Sequence, residues 1–187
     1  MIFKKVLDKI KAISHLKMIR RLHHQDFVSI LKVINDAAKV YKGVIPDDMW
    51  SEPYMSAKEL KEEINSGVDF FGWEEKGKII GVMGIQHVKD TTLIRHAYVL
   101  TKYQRKGVGG ELLKHLVNLA KSSEILVGTW KNATWAIRFY EKHGFRLTSS
   151  KEKDKLLRKY WNIPQRQIET SVVLRFNKNK VENYSKR

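Results

Sequence analysis

The sequence predicts an α/β domain, and three observations carry the prediction. An apolar run from Leu93 to Leu100 reads as a buried strand. A basic turn with Gly107, Gly109 and Gly110 follows it, then Leu112, Leu113, Leu116, Leu119 and Ala120 at helical spacing. A second strand, Ile125 to Trp130, again leads through a turn into a helix, Thr134 to His143, which Gly144 stops. Between Val68 and Val88, two strands flank the tight turn Glu75 to Gly77 and read as a hairpin.

Taken in order, the chain starts with a basic amphipathic stretch, Met1 to Lys17. Phe3, Val6, Leu7, Ile10, Ile13 and Leu16 mark one helical face, with lysines between them. Three roles stay open for it: docking on its own domain, contact in a homodimer, or contact with a membrane surface. Met18 to Leu22 reads as the first strand. Gln25-Asp26 opens a helix with Phe27, Ile30, Leu31, Val33, Ile34 and Ala37 on its apolar side, and Gly43 to Pro46 breaks it. A loop with Trp50, Pro53 and Tyr54 follows. Ser56, with Glu59 three residues on, forms a capping box for a helix that runs to Asn65 and stops at Gly67. The hairpin strands are Val68 to Glu74 and Lys78 to Val88. Asp90-Thr91-Thr92 turns into the buried strand. Beyond Gly144, Phe145 to Thr148 is a short strand and Lys151 to Trp161 a charged helix. Pro164 breaks that helix, and Glu169 to Phe176 alternates as the last strand.

Composition narrows the function. At 187 residues the chain is one domain with tails: an extension over 1–17, a domain over 18–176 and a polar tail over 177–187. Hydrophobic residues at 42% suffice for a core. The absence of cysteine excludes disulfides, thiolate metal sites and a cysteine nucleophile, and no metal is expected. No apolar run reaches the ~20 residues that span a bilayer, so no integral membrane segment is expected. The N-terminus lacks a continuous apolar h-region and a small-residue cleavage site, which points to a cytoplasmic enzyme. The net charge of +16 raises the question of nucleic acid. The lysines are scattered, however, and there is no zinc spacing, RNA-binding signature or recognition helix. A solvated basic surface that attracts anionic ligands is the better reading, and no nucleic-acid partner is expected.

The glycine turn has a chemistry of its own. N–H groups in the first turn of a helix are unpaired and favour anions. Glycine lets a phosphate approach the backbone, and Arg105 and Lys106 add charge there. A P-loop would need Lys-Ser or Lys-Thr after its last glycine, but Glu111 and Leu112 follow Gly110. The dinucleotide fingerprint would need glycine at Leu112. The spacing Gln104-x-x-Gly107-x-Gly109 instead resembles the pyrophosphate motif of the GNAT family of N-acetyltransferases, Q/R-x-x-G-x-G/A. The stretch Asn132 to Phe145 resembles the same family's later motif, an Asn after a strand and then A-x-x-x-Y-x-x-x-G-F, here Ala136, Tyr140, Gly144 and Phe145. The resemblance covers Met18 to Phe176 and is strongest from Gly81 to Phe145.

The resemblance implies an acyl-CoA N-acyltransferase fold, a mixed central sheet flanked by helices. It also implies acetyl-CoA as cosubstrate and direct transfer to a small-molecule or peptide amine in a ternary complex. Gln104, Arg105, Lys106, Gly107, Val108, Gly109 and Gly110 would hold the pyrophosphate. Tyr98 and Val99 would hold the pantetheine arm, with the Val99 N–H facing the oxyanion, and Asn132 would bond the coenzyme through its amide. Helix capping is the rival role for Asn132.

Tyr140 is the candidate acid. A phenol with pKa near 10 can protonate a departing thiolate of similar basicity, as the family's tyrosine at this place does; its rival role is core packing. Some relatives carry a base as Glu five residues before Asn132, and here that position is Val127. His96 is the candidate base, since imidazole titrates near neutrality, against a packed or surface histidine. His87, Asp47 and Asp48 are weaker candidates. Tyr41, Trp50 and Tyr54 are candidate acceptor contacts, through cation–π attraction or simply as core. A coenzyme-binding sensor without turnover and a basic nucleic-acid module are the rival functions.

Overall fold

The structure, a computed structural model, describes residues 17–179. The amphipathic stretch expected over residues 1–16 and the tail beyond Asn179 lie outside the described residues. Seven strands form one sheet in the order β1-β2-β3-β4-β5-β7-β6. They are β1 (Lys17–Arg21), β2 (Asp69–Glu75), β3 (Lys78–Val88), β4 (Thr91–Val99), β5 (Glu124–Trp130), β6 (Arg146–Leu147) and β7 (Ser171–Asn177). The β4–β5 pair is parallel and all other pairs are antiparallel, so the sheet is mixed. At the hairpin turn, Lys76 and Gly77 have φ of +53° and +70°, as a two-residue turn matched to strand twist requires.

Helices cover both faces. One face carries α1 (Phe27–Ala38) and α2 (Ala57–Asn65), whose Ile30, Ile34 and Leu60 pack on Phe70 and Val82. The same face carries α5 (Ser150–Tyr160) and α6 (Gln165–Thr170) over Leu93, Leu126 and Val173. The opposite face carries α3 (Val108–Leu119) and α4 (Thr134–Lys142), with Leu112, Leu113 and Leu116 on Ile80, Ile94 and Ile125. The Ser56–Glu59 capping box is present in both directions, at 3.1 and 2.7 Å.

Several boundaries shift by a residue or more from the sequence reading, and two of the shifts have a clear cause. Gln25-Asp26 forms a 3-10 turn rather than the start of α1, and the Asp26 carboxylate is taken by Arg20 at 2.8 Å. The last strand starts at Ser171, because Glu169 and Thr170 belong to α6. Pro164 is preset for a helix start, and the buried Lys153 Nζ donates to the Ile168 carbonyl at 2.7 Å, which pins α6 beneath α5.

Candidate active site

β4 and β5 pair only near their first residues, Thr92 with Ile125, Leu93 with Leu126 and Ile94 with Val127. Beyond them β4 bends away. Its register on β3 shifts between Val82 and Gly84, so His96 and Ala97 together face Met83. This is a β-bulge, and His96 takes the left-handed conformation, φ +49°. The lost pairing opens a wedge in the sheet. The Leu100 N–H donates to the Ile80 carbonyl at 2.9 Å. Alternation along an antiparallel ladder then turns the Tyr98 N–H towards β3 and the Val99 N–H towards the wedge.

A cavity of about 1030 Å³ occupies the wedge and extends to both faces of the sheet. On the α3–α4 side it reaches Gln104, Arg105 and Gly107 to Gly110. On the other side it reaches Tyr41, Tyr54, Glu59 and Glu63, and the α5–α6 link from Trp161 to Pro164.

The glycine turn at the start of α3 has a local geometry of its own. Gly107 caps α3 at φ +85°, a conformation suited to glycine. The first helical bond is Glu111 N–H to the Gly107 carbonyl at 3.1 Å, which leaves the N–H groups of Val108, Gly109 and Gly110 without intrahelical partners. A Cβ on Gly109 would make only ordinary contact with Phe139, at 3.5 Å. A Cβ on Gly110 would stand 2.8 Å from His143 Nε2, so Gly110 also has a packing reason to be small. Gln104 Nε2 donates to the Val99 carbonyl at 3.1 Å and ties the turn to the wedge. Lys106 lies outside the cavity lining, with its ammonium 5.2 Å from the Tyr103 ring centre. Asn132 stands exposed between β5 and α4, also outside the lining. It does not cap α4 with its side chain, and neither does Thr134.

Tyr140 is 6% exposed, packs edge-on against Phe139 and Phe145, and still reaches the cavity. Burial pushes its hydroxyl far above the ordinary phenol value. Tyr41, Tyr54 and Tyr98 gather with ring centres 6.1 to 6.3 Å apart. Burial pushes the Tyr41 hydroxyl up to about 12, with Tyr54 adding to the rise, so the ring stays neutral. Trp50 lies behind Tyr54, at 5.7 Å, outside the lining. Trp135, 5.3 Å from Tyr41, completes the group and was not anticipated. It lies in the first turn of α4, where nothing in the spacing separates it from a surface aromatic.

His96 lines the cavity and stacks on Phe70 at 5.6 Å. Its Nε2 is 3.2 Å from Glu63 Oε2, close enough for charge attraction but off the line of a hydrogen bond. Glu63 accepts from Arg95 Nη2 through both oxygens, at 2.8 and 2.7 Å. Burial alone would raise the Glu63 carboxyl, but His96 and Arg95 hold it below its usual value. Neither Glu63 nor Arg95 was anticipated. Glu63 lies in a run of helix charges, and Arg95 reads as one polar residue on a strand. The weaker base candidates lie elsewhere. His87 Nδ1 is 3.1 Å from Thr92 Oγ1, outside the lining. Asp47 is exposed, and Asp48 is held by Arg166 at 3.0 Å. Val127 is a buried apolar wall residue, in agreement with its sequence reading.

Residues 34–159 match the acetyltransferase (GNAT) domain family. The chain belongs to that family, and its mixed, helix-flanked sheet is the family's fold. Among curated proteins none matches the sequence. Solved structures with the same fold include the PaiA N-acetyltransferase of Thermoplasma acidophilum in complex with coenzyme A. It is 18% identical with a TM-score of 0.66, over 87% of this chain and 99% of that one. The ribosomal-protein-S18-alanine N-acetyltransferase of Escherichia coli is 17% identical with a TM-score of 0.62, over 87% and 94% of the two chains. The N-acetylglutamate synthase of Neisseria gonorrhoeae, complexed with coenzyme A and N-acetyl-glutamate, is 19% identical with a TM-score of 0.60. That match spans 87% of this chain and 35% of the larger one. Among the described residues no group of three metal-ligating side chains occurs, and no helix is long and apolar enough to cross a membrane.

Proposed function

We propose that this chain is an acetyl-CoA-dependent N-acetyltransferase that passes the acetyl group directly to a primary amine in a ternary complex. Residues 18–176 form the catalytic domain. The observation that carries the reading is one cavity joining the unpaired N-terminus of α3 to the Val99 N–H and on to an aromatic acceptor side. The coenzyme A bound to two solved neighbours supports it.

The residues fit acetyl-CoA, which supplies an activated thioester. The N–H groups of Val108, Gly109 and Gly110, with Arg105 beside them, receive the pyrophosphate. The Val99 N–H receives the oxyanion that develops on the carbonyl. Burial keeps Tyr140 protonated, and because the same enclosure raises the basicity of a thiolate expelled beside it, Tyr140 can give its proton to the departing sulfur. His96 takes a proton from the incoming ammonium, which at a pKa of ~10.4 is almost wholly charged near neutrality. Tyr41, Tyr54, Tyr98 and Trp135 offer ring faces to that cation.

The test has two stages. Acetyl-CoA should bind the full chain by calorimetry. Thiol release should then appear with at least one member of a panel of arylalkylamines, linear polyamines, amino acids and short peptides. Absence of acetyl-CoA binding contradicts the proposal. Tight binding without thiol release across the panel favours a sensor.

A further inference from the structure

We propose that Glu63 and Arg95 are positioning residues: a charge-balanced carboxylate–guanidinium pair that orients His96 and sets the pH range in which it accepts the amine's proton. The proposal rests on the acetyltransferase reading and on His96 as its base.

Successive residues on a regular strand point to opposite faces of the sheet. Arg95 and His96 nevertheless both reach one carboxylate. They do so because the β4 bulge falls at His96, with φ +49°, and turns its ring back to the face that Arg95 already occupies. A non-glycine residue in that conformation inside a strand is uncommon, and such departures gather at functional sites. The bulge thus does two things at once. It opens the wedge, and it brings His96 to Glu63.

The carboxylate is fixed by more than its own helix. Arg95 Nη2 donates to both Glu63 oxygens, while Arg95 Nη1 donates to Gln86 Oε1 at 2.7 Å. Gln86 is buried, and its Nε2 donates to the Ser66 carbonyl at the end of α2, at 2.9 Å. The guanidinium is therefore clamped between α2 and β3. The three charged or chargeable side chains are mostly enclosed, at 16% exposure for Arg95, 13% for His96 and 25% for Glu63. His96 Nε2 is buried and has no hydrogen-bond partner among the described residues. Nε2, on the carboxylate side, carries the proton of the neutral ring, which leaves Nδ1 to take the acceptor's proton; the imidazolium so formed then gains from Glu63.

Charge balance makes the design specific. Arg95 is charged at any accessible pH, so the pair is neutral while His96 is neutral and the trio carries one positive charge once His96 is protonated. Glu63 without Arg95 would favour the imidazolium. Arg95 without Glu63 would oppose it. Other titratable groups on the same cavity act less directly. The Glu59 carboxylate is engaged by the Ser56 N–H at 2.7 Å. Tyr98 is held neutral by burial, and Tyr54 packs against it at 6.1 Å. From β2, His96 meets the apolar Phe70.

The experiment follows the His96 ring by NMR in the full chain, without ligand. Its signal is assigned by its loss in His96→Gln. Glu63→Gln should lower the titration midpoint by about one pH unit, and Arg95→Gln should raise it by a similar amount. The double variant Glu63→Gln/Arg95→Gln should return close to wild type. With the fastest amine of the panel, the acidic limb of kcat/KM should move in the same two directions. A merely structural pair would lower rates in both single variants without opposite movements or restoration. Glu63→Gln is isosteric and decides alone if Arg95→Gln does not fold: a midpoint that stays or rises overturns the proposal. Midpoints that move as expected while the kinetic limb stays overturn His96 as the base, and with it this role for the pair, but leave acetyl transfer standing. Loss of acetyl-CoA binding in wild type would instead overturn the acetyltransferase reading, an outcome the ligand-free NMR arm does not depend on.

Discussion

Replacing Gly109 by Asp separates the coenzyme site from the fold. Gly109 is the second residue of α3. Its added Cβ would meet only the Phe139 ring at 3.5 Å and Val99 at 3.7 Å, both ordinary contacts. Asp also suits a first helical turn. It removes the cost of glycine, a few tenths of a kcal/mol here, and gains about 0.3–1 kcal/mol from the helix dipole. The ligand-free variant should therefore melt within a few degrees of wild type, and if anything higher, at roughly 2–4 °C per kcal/mol for a chain of this size. Coenzyme binding should respond in the opposite sense, because the new carboxylate occupies the place and takes the charge of the pyrophosphate. At a ligand concentration about a hundredfold above Kd, wild type gains about 2.7 kcal/mol, a rise of roughly 5–10 °C. The variant should show none. Thermal melts with and without acetyl-CoA, checked by calorimetry, measure both effects. An undiminished ligand shift refutes the placement of the pyrophosphate at α3. A ligand-free loss above about 2 kcal/mol refutes the steric argument.

Three further outcomes follow from the same geometry. Tyr140→Phe should cut kcat about a hundredfold and leave coenzyme affinity nearly unchanged, measured by thiol release and calorimetry; because burial raises the phenol, wild type should show no alkaline loss from Tyr140 below about pH 10. Gly110→Ala should destabilise by up to about 2 kcal/mol, an overlap cost of about 1–3 kcal/mol less up to about 1 kcal/mol of helix propensity, because its Cβ would press on His143, whose Nδ1 is already held 2.7 Å from the Phe139 carbonyl; His143→Ala should relieve most of that cost in denaturant melts. Asp26 is held at about 2 by Arg20, with the His23 N–H assisting. A depressed carboxyl contributes stability above its unfolded value, here about 1–2 kcal/mol after discounting for solvent, and loses it as pH falls from about 4 towards 2. Asp26→Asn should flatten that part of the stability–pH curve.

Much of the fold was legible because local signals agreed. The Ser56–Glu59 box, the Lys76-Gly77 turn, the glycine start of α3 and the stop at Gly144 each depend on residues within a few positions, and each appears where expected. The helix α6 was hidden because six residues with one buried isoleucine carry little periodicity. Its anchor, Lys153, comes from another helix. The end of the cavity at the start of α3 could be read from glycine spacing, since glycine marks where backbone N–H groups are bare. The acceptor side was legible only in part: Tyr41, Tyr54 and His96 were named from sequence and line the cavity, but Glu63, Arg95 and Trp135 were not. Glu63, Arg95 and His96 converge only through a bulge, and a bulge adds one residue to a strand without changing its composition. Trp135 meets Tyr41 only because α4 packs across the sheet from the loop that follows α1.

The central claim is that acetyl-CoA enters the β4–β5 wedge with its phosphates on the start of α3. Titration of acetyl-CoA into the ¹⁵N-labelled full chain, followed by amide NMR, tests this most directly. The account predicts the largest amide shifts at Val99, Val108, Gly109 and Gly110, with β1 and β6 unmoved. Saturable binding whose shifts cluster elsewhere and spare Val99 and Gly109 would contradict it.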